Sequence, residues 1–218
     1  MGKMNSCGTR LTGSKGHAEF IEYLKDEINK MGIRIFSDPF YFNRWEEKES
    51  SIEIIDGGEN INIPVSSAYP YSGETSESGI TEELVYVNDI TDIPKINGKI
   101  AVFEISNVNF IPSEGAFDKR SSYPEDVTLP DKYEGPVITS FVQCFNGVIS
   151  KLNKAKAVIL IWKGLHDDCV KGQYLSFILG YQKIPMLWVT ETDGKKVIEA
   201  AKEHKSAKFV LTAHTEEN

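Results

Sequence analysis

Cysteine is scarce in this chain. Its three cysteines, Cys7, Cys144 and Cys169, are odd in number and show no Cys-x-x-Cys spacing, which argues against a disulfide framework or a structural zinc site and favours a reducing compartment. Long apolar runs are missing too. No stretch approaches the roughly 18 apolar residues of a membrane span, and no N-terminal hydrophobic region marks a signal peptide. Cytoplasmic location is therefore the expectation, with an extracellular one open if the N terminus has been trimmed. Met1-Gly-Lys3 ahead of Met4 reads as an expression scar, and the text begins mid-theme at Gly8. Basic runs never exceed two residues, and 24 lysines and arginines stand against 32 acids for a formal net charge of −8. That balance makes nucleic acid and anionic membrane surfaces poor candidate partners. There are no internal repeats and no low-complexity tracts.

What is present is clearest between Ala155 and Ala213. Ala157-Val-Ile-Leu-Ile-Trp162 and Ile184-Pro-Met-Leu-Trp-Val189 are short runs rich in β-branched and aromatic residues, which predicts strands buried on both faces. Lys208-Phe-Val-Leu-Thr212 predicts a third strand. Thr190-Glu-Thr-Asp193 is a helix-start box, and Val197, Ile198 and Ala201 give the helix after it one apolar face. Earlier in the chain, Phe20, Ile21, Leu24, Ile28 and Met31 recur at helical spacing from Ser14 to Met31, with Gly32 as the stop. Ile33-Arg-Ile-Phe36 and Phe40-Tyr-Phe42 read as strand broken at Asp38-Pro39. Ser51-Ile-Glu-Ile-Ile55, Asp56-Gly-Gly58 and Asn60-Ile-Asn-Ile63 read as a hairpin. A strand is expected over Gly98–Ile105 and a helix from Thr139 to Leu152. Between them, Pro112 to Pro136 holds four prolines and no sustained period, the pattern of a flap or mobile segment. The fold class is mixed α/β. A chain of this length buries roughly 70% of its unfolded surface and needs no covalent staples.

Several of these stretches carry a family likeness. Lys154-Ala-Lys-Ala-Val-Ile-Leu160, Ile184 to Thr190 and Ala207-Lys-Phe-Val-Leu-Thr212 resemble the second half of a protease-associated domain. Tyr69-Pro-Tyr-Ser-Gly-Glu74, Gly79-Ile-Thr-Glu-Glu-Leu-Val-Tyr-Val87 and Asn97-Gly-Lys-Ile-Ala-Val-Phe103 look like its opening strands. Gly8 to His17 and the helix behind it are similar to the start of zinc aminopeptidases and carboxypeptidases that carry such a domain as an insert, the plan of glutamate carboxypeptidase and the transferrin receptor. The resemblance implies strands flanked by helices, divided into a peptidase-like segment over 1–63, a protease-associated domain over 64–213, and a tail at 214–218 leading toward a catalytic domain. It implies zinc in the full-length parent, none in this chain, and a peptide substrate met through the parent. It also implies that a truncation beginning near Asn62 folds unaided.

The residues themselves offer little chemistry. Thr212-Ala-His-Thr-Glu216 echoes a His-x-Asp zinc motif, but the other ligands of a co-catalytic pair are missing, so His214 is expected to be exposed and ligand-free. The four neighbours His166-Asp-Asp-Cys169 cannot easily converge on one metal. Ser14, Ser140 and Ser150 lack a nucleophile elbow, and Cys144 falls on an apolar helix face where an inert thiol is expected. Gly13-Ser-Lys-Gly16 lacks the spacing of a phosphate loop. No catalytic residue and no metal ligand is assigned. In the peptidases that the chain resembles, the loop after the strand matching Gly98–Ile105 helps to close the substrate pocket. Here that loop offers Asn107 and Asn109 as hydrogen-bonding candidates, without the arginine that would favour an acidic side chain. The expectation is a non-catalytic region that shapes a parent exopeptidase's pocket; the alternative is a free-standing protein-interaction module. A small independent hydrolase finds no constellation to support it. The apolar stripe from Phe20 to Met31 needs a cover, either the hairpin at Asp56–Gly58 or a second copy of the chain in a homodimer.

Overall fold

The computed structural model describes residues 2–8, 12–38, 40–106, 151–163, 167 and 181–217. The chain divides into two compact units, one of residues 1–46 with 214–218 and one of Glu47–Ala213.

In the first unit, α1 (Gly2–Ser6) is followed by α2 (Lys15–Lys30). Ser14 caps α2 as the sequence predicts, its hydroxyl accepting the His17 N–H at 3.2 Å. Lys25–Glu22 and Lys30–Glu27 pairs, at 2.7 and 2.6 Å, lace the polar side, and Gly32 leaves the helix at φ 73°. The apolar stripe, however, is not taken up into a core: α2 has no buried residue. Phe20, Ile21 and Ile28 are half-buried and Leu24 is exposed, so each forgoes part of the roughly 1.5–3 kcal/mol of full burial. Residues 33–38 and 40–42, which read as strand, lie outside every helix and strand. Strand propensity is largely a preference for packing on a paired, half-buried surface, and without a neighbouring strand it specifies little.

The second unit is built on one mixed sheet, of which the first four residues of β1 and the last four of β8 fall in the first unit. Its strands are β1 (Asn43–Ile55), β2 (Ile61–Ile63), β3 (Ser67–Ala68), β4 (Ile80–Val87), β5 (Ile100–Ser106), β6 (Ala157–Lys163), β7 (Met186–Val189) and β8 (Ser206–Glu217), in the order β2-β1-β8-β4-β5-β6-β7-β3. β4 to β7 form a parallel block, with Val102 opposite Tyr86 and Ile159. β8 adds to β4 antiparallel, and β3 adds to β7 antiparallel. The expected hairpin forms, with Ile52 opposite Ile63 and Ile54 opposite Ile61. Ile52, Ile54 and Ile63 are buried, so the hairpin belongs to the second unit's core. The sequence places a boundary near Pro64, whereas the second unit begins at Glu47.

Both faces of the parallel block are covered, which is why β6 reads as an unbroken apolar run. α3 (Glu191–Lys202), capped by Thr190 Oγ1 accepting the Asp193 N–H at 3.1 Å, buries Gly194, Val197, Ala200 and Ala201. Gly194 is required there, because a Cβ would stand 2.5 Å from Ile161 Cγ2. The opposite face packs Leu152, Val158, Leu160, Met186 and Val87 around Trp162 and Trp188, whose rings lie 5.2 Å apart. A 3-10 helix over Ile90–Ile96, boxed by Asp89 and Asp92, carries the chain from β4 to β5.

Tyr69 to Glu74, expected as an opening strand, is an irregular strap instead. Gly73 N donates to Ile184 O at 3.1 Å, and Thr75 N donates to Leu211 O at 2.7 Å. Tyr71 takes φ 58°, a left-handed conformation costly for an aromatic residue. A Cβ on Gly73 would lie 2.1 Å from Lys183 O. The strap stays close because Gly73 has no side chain. The sheet also curls on itself: the Glu47 carboxylate of β1 accepts the Ala68 N–H of β3 at 3.1 Å. The last residues, expected as a tail from 214 onward, continue β8 to Glu217.

Candidate functional site

Ligand sites in open α/β sheets gather at the carboxyl ends of parallel strands, and in this chain that end carries a polar cluster inserted into otherwise apolar strands. β5 reads Ile100-Ala-Val-Phe-Glu-Ile-Ser106, so Glu104 interrupts an apolar run. Because Tyr86 pairs with Val102 and Glu104 with Ile161 across parallel registers, alternation puts Tyr86, Glu104 and Lys163 on the α3 side. Tyr86 Oη donates to Glu104 Oε2 at 2.5 Å. Lys163 Nζ stands 3.8 Å from Glu104 Oε1, and Lys202 Nζ at the end of α3 sits 5.8 Å from the Tyr86 ring centre. Each carboxylate oxygen thus has its own partner.

Burial pushes the Tyr86 phenol up to about 12, and the hydrogen bond and charge of Glu104 push the same way. The phenol is therefore a proton donor at neutral pH and neither a base nor a nucleophile. The cluster ties β4, β5 and β6 together just where β5 ends at Ser106, opposite Lys163. Chemically it can hold a strand end in place and present a half-shielded carboxylate beside an ammonium. It lacks the nucleophile-to-base geometry of covalent catalysis.

Asn107 and Asn109 follow β5 directly and lie outside the described residues, as do His166, Asp168, Cys169, Cys144, Ser140, Ser150 and the segment from Pro112 to Pro136. Asp167 is half-buried, and His214 is exposed on β8. Gly13-Ser-Lys-Gly16 forms the start of α2. Among the described residues no group of three or more His, Cys, Asp or Glu side chains is placed to hold a metal ion, so the described residues do not fit a zinc site. No helix among them is long and apolar enough to cross a membrane. Sequence reasoning passed over Tyr86, Glu104 and Lys163. Their signal was an acid inside an apolar strand, which a buried environment accepts only with partners.

At the opposite end of the block, Lys99 Nζ and His204 Nδ1 meet Glu83 at 2.8 and 3.1 Å. The hydrogen bond from Lys99, and then that from His204, hold the Glu83 carboxyl below its usual range. These groups are solvated and serve the surface.

No family model matches the chain, and no curated sequence does. Solved structures do match. A peptidase M28 precursor from Shewanella amazonensis SB2B superposes with a TM-score of 0.63 at 14% identity, over 100% of this chain and 47% of that one. BSAP, a zinc aminopeptidase from Bacillus subtilis, superposes with a TM-score of 0.55 at 16% identity, over 99% of this chain and 44% of that one. A second BSAP structure gives the same score at 15% identity. The chain spans less than half the length of these structures, and what it shares with them is a mixed α/β fold.

Proposed function

We propose that this chain is the non-catalytic, protease-associated region of a zinc-dependent exopeptidase, and that it shapes or covers the substrate pocket of the parent enzyme. The observation that carries the reading is the superposition of the whole chain on less than half of two peptidase structures. The protease-associated domain would run over 64–213, completed by the β1–β2 hairpin that shares its sheet, with the residues before it belonging to a peptidase-like body and 214–218 leading toward the rest. In the parent, zinc would activate water to cleave a terminal peptide bond. This chain's part is positioning: Tyr86, Glu104 and Lys163 fix the end of β5, and Asn107 and Asn109 beyond it would hydrogen-bond the backbone of a peptide. The exposed aromatics of the first unit also suit the second reading, a protein-interaction module without chemistry.

One comparison separates the two. The purified 218-residue chain is expected to bind no stoichiometric zinc and to cleave no aminoacyl or peptidyl chromogenic substrate. The protein expressed from the natural reading frame continued past Asn218 is expected to bind zinc and hydrolyse such a substrate. A chain that hydrolyses it unaided, or a continued frame without His-x-Asp, Glu-Glu and a distal His, sinks the exopeptidase reading.

A further inference from the structure

Glu104 is the single acid in the apolar run Ile100–Ile105 of β5, and its two oxygens are held differently. Oε2 accepts the Tyr86 hydroxyl, which fixes the plane of the carboxylate. Oε1 is left to the Lys163 ammonium at 3.8 Å, beyond the roughly 3.2 Å reach of a formed hydrogen bond. The Glu104 side chain is only 22% exposed, whereas that of Lys163 is 52% exposed. A carboxylate withdrawn from water to that degree gains from a charged donor in contact, and Lys163 stands off from it. Lys202 stands off likewise, its Nζ 5.8 Å from the centre of the Tyr86 ring. Two ammonium groups on flexible stems thus gather around a carboxylate and a phenol ring, both of which draw cations, and neither is seated.

We propose that Glu104 Oε1 is the acceptor of a primary-ammonium site at the carboxyl end of β5, and that Lys163 occupies it loosely until a ligand's ammonium takes its place. The single open oxygen decides the ligand class. A guanidinium binds best when its planar fork meets both oxygens of a carboxylate, and Tyr86 already holds Oε2; a compact ammonium needs one acceptor. An anionic ligand is disfavoured, because it would have to lie against Glu104. The formal net charge of −8 steers a cation toward the chain, and the carboxyl end of a parallel block is where ligands gather. The ammonium can come from a lysine side chain or from the free amino terminus of a peptide. The inference goes beyond the exopeptidase reading: every group that makes the site belongs to β4, β5 or β6 of this chain, so the test needs neither zinc nor a parent body.

The 218-residue chain is titrated with glycine pentapeptide amides: one acetylated with a central lysine, one with a free amino terminus and no lysine, one acetylated with a central arginine, and one acetylated and uncharged. Binding is read from the peptide's own NMR signals, and contact from the Glu104 carboxyl carbon resonance, identified by its loss in Glu104→Gln. The lysine peptide, the free-terminus peptide or both are expected to bind saturably and to move that resonance, while the uncharged peptide does neither; whichever acts assigns the source. Glu104→Gln should abolish binding, and Lys163→Met should tighten it about two- to fivefold, the worth of a half-exposed ion pair, with melting temperatures checking that each variant is folded. Tyr86→Phe, which frees Oε2, should raise affinity for the arginine peptide relative to the lysine peptide by about threefold or more. Failure of both ammonium peptides to bind, or equal binding by the uncharged one, overturns the proposal. Weaker or unchanged binding in Lys163→Met overturns it too, since Lys163 would then be no competitor for Oε1. An unchanged preference in Tyr86→Phe overturns the single-acceptor geometry and the ligand class with it. None of these outcomes bears on zinc binding or hydrolysis, so the exopeptidase reading stands or falls separately.

Discussion

α2 and α3 are both amphipathic and capped by a hydroxyl, and both are laced by short-range ion pairs, yet only one of them has a core. α3 turns Gly194, Val197, Ala200 and Ala201 onto the sheet, and those small side chains let the helix sit against Ile161. α2 presents Phe20, Ile21, Leu24 and Ile28, which are larger and better suited to burial, and buries none of them. Periodicity therefore reports that a face needs a partner and does not report that the chain supplies one. The same contrast holds for strands: Ala157–Trp162 and Ile33–Phe36 have similar propensity, and only the first has neighbours on both sides.

The largest test of that contrast is truncation. Removal of residues 2–46 should leave a cooperative melt, because the sheet and both its faces survive. Removal of residues 2–61, which a boundary near Pro64 would make harmless, should abolish cooperative unfolding. It strips Ile52 and Ile54 from the core and takes away the Glu47 carboxylate that holds Ala68; losing a buried large aliphatic side chain costs about 2–5 kcal/mol. Equal melts for the two truncations would place the boundary near Pro64. Trp188→Ala should destabilise by about 3–5 kcal/mol in denaturant titration, whereas Phe36→Ala in the isolated chain should stay within about 0.5 kcal/mol. Similar losses at both positions would mean that the first unit has a core after all.

Alkaline pH gives the smallest effect. Tyr86 and Tyr69 are both held up to about 12, Tyr69 by burial and Tyr86 by burial and Glu104. Between pH 10 and 12 the unfolded chain therefore gives up these phenolic protons while the folded one keeps them. The stabilisation is complete below the ordinary tyrosine pKa and is lost as pH rises through the folded value. Ultraviolet titration should find late-ionising tyrosines, and Glu104→Gln should bring one of them to lower pH. No change on that substitution would leave burial as the whole cause.

Much of the second unit could be read directly from residue pattern. β6, β7, α3 and the hairpin were visible because their side chains meet neighbours close in sequence or repeat at one period. The strap at Tyr69–Glu74 was misread as strand, since its path is set by Gly73 against the Lys183 carbonyl, a contact between segments far apart in sequence. β3, at two residues, is too short to leave a pattern. The Tyr86–Glu104–Lys163 cluster comes from three strands in register, and register between distant strands is not written in any one of them. The mixed α/β class was legible; the clamp at the carboxyl end of the block was not.

The curl that brings Glu47 to Ala68 also governs how the protein behaves in a crowded solution. A sheet spreads from molecule to molecule through unpaired edge amides. Here the terminal strands β2 and β3 are three and two residues long, one β3 amide is already taken by a carboxylate, and β1 carries Glu46, Glu47, Lys48 and Glu49 along its outer half. The sheet gives a second molecule little to grow on. Aggregation of the isolated chain would have to begin elsewhere, and the exposed aromatics Phe36, Phe40 and Tyr41 are the side chains best placed to start it. Charged substitutions at Phe36 or Tyr41 are thus the first changes to make for a soluble, concentrated sample.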